Sequence, residues 1–181
     1  MNTLHPSLLR VFAIAIMLLM SSTLGPAFAQ APRPPAYPAP SITLAEARAV
    51  IDGAIAFARE KNMTMAVVVV DPAGNVVSSD RMDGAGLQNI RMAEAKAFAS
   101  ALYRQTTEAL GELYKSRPDR YFGILNMYPG KVYLVGGGVP LARDGMMVGG
   151  AGVAGLPQGV DEQSARAGID AWTKFRATMK K

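Results

Sequence analysis

Three short stretches of this chain carry side chains that can do chemistry: Arg81-Met82-Asp83-Gly84-Ala85, Lys96 within Ala93-Glu94-Ala95-Lys96-Ala97, and Asp161-Glu162. Arg81 can clamp a carboxylate through the fork of its guanidinium, and Asp83 can orient that arginine or act as an acid or base. Asp83-Gly84 is equally an ordinary turn, with Asp83 capping the helix that follows. Lys96 sits among alanines, so its amine either reaches into a pocket or runs along the helix to water. Asp161 and Glu162 read as the start of a helix, where the dipole favours acids; Asp161 is also the second candidate acid or base after Asp83. Between residues 136 and 159, nine of 24 residues are glycine. So bare a backbone suits close packing or a ligand lying against the main chain. The candidate ligand-binding residues are therefore Arg81, Met82, Asp83, Arg91, Lys96, Gly137 and Gly138.

Composition removes several chemistries. The chain has no cysteine, and its one histidine is His5. Thiolate metal sites, disulfides and cysteine nucleophiles are excluded, and no protein metal site is expected. No G-x-S-x-G elbow or H-E-x-x-H pattern is present. Gly136-Gly137-Gly138 is followed by Val139-Pro140 and another expected strand rather than a helix, which matches neither a P-loop nor a dinucleotide fingerprint. The formal charge of +5 comes without a basic block or a basic-aromatic stripe, so no nucleic-acid partner is expected.

The elements that must position these residues follow a leader. Arg10 precedes an apolar run from Val11 to Met20, and Ala27-Phe28-Ala29 reads as a cleavage site. Residues 1–29 are therefore expected to be a signal peptide, leaving no stable membrane anchor and delivering an exported protein, periplasmic or extracellular. His5 would leave with the leader. Residues 30–41 form a Pro-rich linker, and residues 42–181 suit one domain.

Within that domain Thr43 and Glu46 form a capping box for a helix to about Lys61. Met65 to Val70 and Val76 to Met82 read as strands joined at Asp71-Pro72-Ala73-Gly74-Asn75. Gln88 to Tyr103 reads as a helix, and Glu108 to Tyr114 as a shorter one ending before Pro118. Lys131 to Val135, Val139 to Ala142 and Met146 to Val153 read as strands, the last two joined by an Asp144-Gly145 hairpin turn. A final helix starts near Asp161. Short turns between neighbouring strands argue for an α/β (α+β type) domain, an antiparallel sheet of about five strands covered by helices.

Asp71 to Asn75, RMDGA at 81–85, AEAKA at 93–97, GGGVPL at 136–141, DGMMVGGAGVAG at 144–155 and Asp161-Glu162 together resemble the GlcG/HbpS-like family. That family, also called the haem-degrading domain family, includes the C-terminal domain of some corrinoid adenosyltransferases. The resemblance implies a three-layer α/β/α domain, frequent homo-oligomerisation and, in some members, haem or another tetrapyrrole as cofactor or ligand. The chain departs from the family's pattern at Asn75, where histidine is common, at Ala154, where serine is common, and near Gly159, where an acid is common. Haem iron would then fall to a methionine (Met82, Met92, Met127, Met146, Met147), a tyrosine (Tyr103, Tyr114, Tyr121, Tyr128, Tyr133), a lysine or an oxygen ligand, or go unligated. Three functions are compatible: an exported small-ligand-binding protein, a catabolic enzyme acting on a carboxylate substrate, and an oligomeric accessory protein without a ligand.

Overall fold

The computed structural model describes residues 40–157 and 159–179. The expected leader (1–29) and almost all of the linker (30–41) lie outside the described residues.

Thr43 starts the first helix, α1 (Leu44–Glu60). Its hydroxyl accepts the Glu46 N–H at 3.2 Å, and the Glu46 carboxylate accepts the Thr43 N–H at 2.9 Å. Burial alone would raise the Glu46 carboxyl. The bonds from Thr43 and Arg143 more than reverse this and hold it below its ordinary value. Arg143 Nη1 reaches both Glu46 oxygens at 3.0 Å, so this carboxylate ties the start of α1 to the end of a strand.

Strands β1 (Ala66–Val70) and β2 (Val76–Arg81) follow, then helices α2 (Asn89–Tyr103), α3 (Thr107–Lys115) and α4 (Pro118–Met127). Strands β3 (Gly138–Arg143) and β4 (Met146–Ala154) and helix α5 (Val160–Met179) complete the domain. The sheet runs in the order β2-β1-β4-β3, with every pairing antiparallel. Asp144 and Gly145 both adopt positive φ, as a two-residue hairpin turn requires.

β1 is apolar throughout because it is covered on both faces. Val67 and Val69 join Val50, Ile51, Leu141, Val153 and Trp172 under α1 and α5. Ala66, Val68 and Val70 meet Ala93, Ala97 and Ala101 of α2 on the other side. The result is the expected three-layer α/β/α arrangement.

Four strands stand where about five were expected. Residues 131–135 form no strand; Val132 and Leu134 instead pack with Ala99 and Leu110, beside Tyr114 and Tyr121. Their alternation satisfies a helix-lined pocket rather than a sheet. Helix α4 departs from the expectation that helical structure ends before Pro118: the proline occupies its first turn, where a missing N–H costs nothing.

The approach of α2 to the sheet depends on glycine. A Cβ on Gly152 would lie 2.1 Å from the Ala93 carbonyl oxygen and 2.6 Å from the Ala97 nitrogen. Neither is the movable end of a flexible side chain. Gly152→Ala is expected to lift α2 and to cost about 3 kcal/mol of stability, read from urea unfolding. A loss below about 0.5 kcal/mol would show that the helix is free to rise.

Candidate functional site

At one end of the sheet β4 finishes at Ala154, β3 begins at Gly138 and α5 begins at Val160. Lys96 extends from α2 into this junction and is 1% exposed. Its Nζ donates to Asp161 Oδ2 at 2.7 Å and to the Val153 carbonyl at 2.9 Å. The other Asp161 oxygen accepts the Leu156 N–H at 2.9 Å, which fixes the carboxylate. Burial pushes the Lys96 amine below the ordinary lysine range, while the hydrogen bond and charge of Asp161 act against that shift. An ammonium has three protons, and two find acceptors here; the third has none among the described residues.

Gly137 closes over this pair with φ of +119°. A Cβ there would lie 2.7 Å from the Asp161 Cβ and 3.0 Å from the Lys96 amine, so both conformation and space call for glycine. Gly138 serves packing instead: its N–H donates to the Thr107 hydroxyl at 2.8 Å.

A cleft of about 560 Å³ opens beside Lys96 and Asp161. Met92, Tyr133, Leu134, Val135 and Leu156 give it apolar surface, and Glu108, Glu112 and Lys115 add charge. The Lys96 amine lies 5.8 Å from the Tyr133 ring centroid. Behind Gly136, the carboxyl groups of Glu108 and Glu162 come together. The Glu162 carboxylate, which can accept from the protonated form of Glu108 and repels its ionised form, raises the Glu108 carboxyl above its ordinary value.

The candidates from the sequence are spread over three concavities. Lys96, Asp161 and Gly137 come together at the cleft. Arg81, Met82 and Asp83 line an open depression of about 570 Å³ between α1 and β2, shared with Ile55 and Arg59. There Arg81 closes its own turn, Nη1 donating to the Ala85 carbonyl at 2.7 Å. Arg91 borders a recess of about 80 Å³ with Gly74, Glu94, Phe98 and Lys131. Asn75 is bound within its turn: its N–H reaches Asp71 Oδ1 at 2.9 Å and its side-chain amide reaches Oδ2 at 3.0 Å. Glu108 is not among the candidates from the sequence, and Glu162 is among them only beside Asp161, in the stretch that starts a helix; nothing local marks their approach to each other.

A family description, haem degrading protein HbpS-like, matches residues 42–170. An uncharacterized 15.0 kDa protein from the dhaT-dhaS intergenic region of Citrobacter freundii is 28% identical over 135 residues, covering 75% of this chain and 94% of that protein. The solved structure of a double mutant of HbpS from Streptomyces reticuli is 35% identical with a TM-score of 0.65, covering 72% of this chain and 86% of that one. The PduOC:heme complex is 26% identical with a TM-score of 0.66, covering 72% and 94% respectively.

The Lys96–Asp161 pair makes a stability prediction. Lys96→Met strands a buried carboxylate and Asp161→Asn strands a buried ammonium, so each is expected to cost about 3 kcal/mol or more. The double variant should recover at least half of the summed loss in urea unfolding. Simple additivity would show that the two groups are not coupled.

Proposed function

Because the chain belongs to the haem degrading protein HbpS-like family, we propose that it binds haem or a related tetrapyrrole in the cleft beside Lys96 and Asp161. The observation that carries this reading is the composition of the cleft: an apolar wall meets an ammonium with one uncommitted proton. A planar, largely apolar ligand with acidic edges has that complementarity. The relationship to PduOC, solved as a haem complex, supports the same reading.

The donor set suits haem without histidine. His5 is the only imidazole of the chain and belongs to the proposed leader. Of the residues on the apolar wall, Tyr133 offers a phenol oxygen and Met92 a thioether, both known as haem ligands. Lys96 would meet a propionate with its free N–H. Lys115 would meet another, since its pairing with Glu112 is exposed and contributes little. Haem, when bound, supplies one-electron and dioxygen chemistry; the chain's own residues bind it, orient it and screen it from water.

The same reading includes export to the periplasm or medium after cleavage before Gln30. Among the described residues no helix is long and apolar enough to cross a membrane. Self-association into a homo-oligomer is supported by α4, which packs Tyr121 and Ile124 only in part and leaves Phe122 and Met127 exposed. A second reading, an enzyme acting on a carboxylate substrate, is favoured by the Lys96 amine, held below its usual range beside a carboxylate in a cleft.

Mass spectrometry of the exported protein should find an N-terminus at Gln30; an intact residue 1 in the soluble fraction would refute cleavage. Absorbance titration of that protein with ferric and ferrous hemin should give a saturable spectrum, altered by Tyr133→Phe or Met92→Leu. A flat titration would remove haem, and turnover of carboxylate metabolites would then be the assay to run.

A further inference from the structure

Two carboxyl groups meet beside Gly136, one from α3 and one from α5. A Cβ on Gly136 would lie 4.0 Å from both Glu108 Cδ and Glu162 Oε2. Glu162 is a buried residue whose Oε1 accepts from Arg166 Nε at 3.0 Å. Its Oε2 is buried and has no hydrogen-bond partner among the described residues. A buried carboxylate oxygen without a donor is costly, and two facing carboxylates cannot both ionise cheaply.

Glu108, an exposed residue beside it, supplies such a donor when it is protonated. None of the cations around the pair is bound to Glu108: Lys96 is held by Asp161, Arg166 pairs with Glu162, and Lys115 lies with Glu112 on the exposed rim. Glu108 has no cation of its own among the described residues. The Glu162 hydrogen bond and charge favour its protonated form, Glu112 adds to that, and Arg166 opposes it. Glu108 is also part of the cleft wall, together with Lys96.

We infer that Glu108 and Glu162 hold one proton between them and make this part of the cleft a binding site for a ligand carboxylate. The Glu108 O–H, held toward Glu162, is shared with the incoming oxygen, and the third N–H of Lys96 is the second donor. No covalent bond changes; one proton stays with Glu108 and the ligand enters as an anion. Were Glu108 ionised, the ligand would face a second negative charge. The inference rests on the cleft being the ligand site, and adds which group of the ligand is held and under what proton condition it is held.

Two measurements on the protein as the cell delivers it test this. The first is an NMR titration with carbon-13 at glutamate carboxyls. Glu108 and Glu162 should titrate in two separated steps, and Glu108→Gln or Glu162→Gln should each leave one step. Two coincident, ordinary titrations would overturn the shared proton.

The second compares hemin with hemin dimethyl ester, which keeps the iron and lacks the carboxylates. Hemin affinity should fall by about tenfold per pH unit once the pair has lost its proton, while the ester should stay flat over the same range. Glu162→Gln should flatten the hemin profile. Parallel profiles for hemin and ester, or an unchanged slope in Glu162→Gln, would overturn the carboxylate site and leave tetrapyrrole binding standing. Binding of neither compound at any pH would overturn both.

Discussion

The contact between α2 and β4 is the constraint on which the rest of this structure depends. Helix and strand approach until main-chain atoms meet, because the strand offers glycine at 150 and 152 and the helix offers alanine at 93 and 97. Dispersion grows with such closeness, and a single methyl at Gly152 would end it. The same closeness carries Lys96 inward. A lysine on a helix held farther from the sheet could bend to water; here its amine is turned inward onto the Val153 carbonyl and Asp161.

The ion pair is thus a product of packing rather than a source of it. Removing an ammonium and a carboxylate from water is expensive, and their attraction offsets that cost only with good geometry and further hydrogen bonds. Both conditions are met: Lys96 has a carbonyl as well as a carboxylate, and Asp161 has the Leu156 N–H. Gly137 completes the enclosure with a backbone conformation that other residues rarely adopt. Two motifs far apart in the chain become one polar feature beside a cleft, a place where charge is kept at some cost to stability.

How much of this could be read from the sequence follows from the range of each interaction. The Thr43–Glu46 capping box, the β1 run and the Asp144-Gly145 hairpin are local, and each appears where the sequence placed it. Residues 131–135 misled because Val132 and Leu134 alternate in the same way whether they face a sheet or a helix pair. Pro118 misled because proline both ends a helix and begins one. At the site, Lys96 and Asp161 stood out singly, but their contact belongs to the tertiary fold. Glu162 stands in a candidate stretch and Glu108 in none, but nothing local pairs them, since a proton held between two carboxyls exists only after α3 and α5 are in place.

The carboxylate of Glu46 lies at the other end of the β3–β4 hairpin from the cleft, where it binds the first turn of α1 to Arg143. Its folded value is depressed, so the stability it contributes is present above the ordinary carboxylate range and is lost as pH falls through the lowered value. Glu108 is displaced in the opposite direction, so it sheds its proton at higher pH than an ordinary carboxyl does. The two ends of one hairpin therefore respond to acidity in opposed senses. One loses its contribution to the fold as acidity rises, and the other loses its proton in the cleft as acidity falls. A change of acidity thus reaches the fold and the cleft through different glutamates, at opposite ends of the same pair of strands.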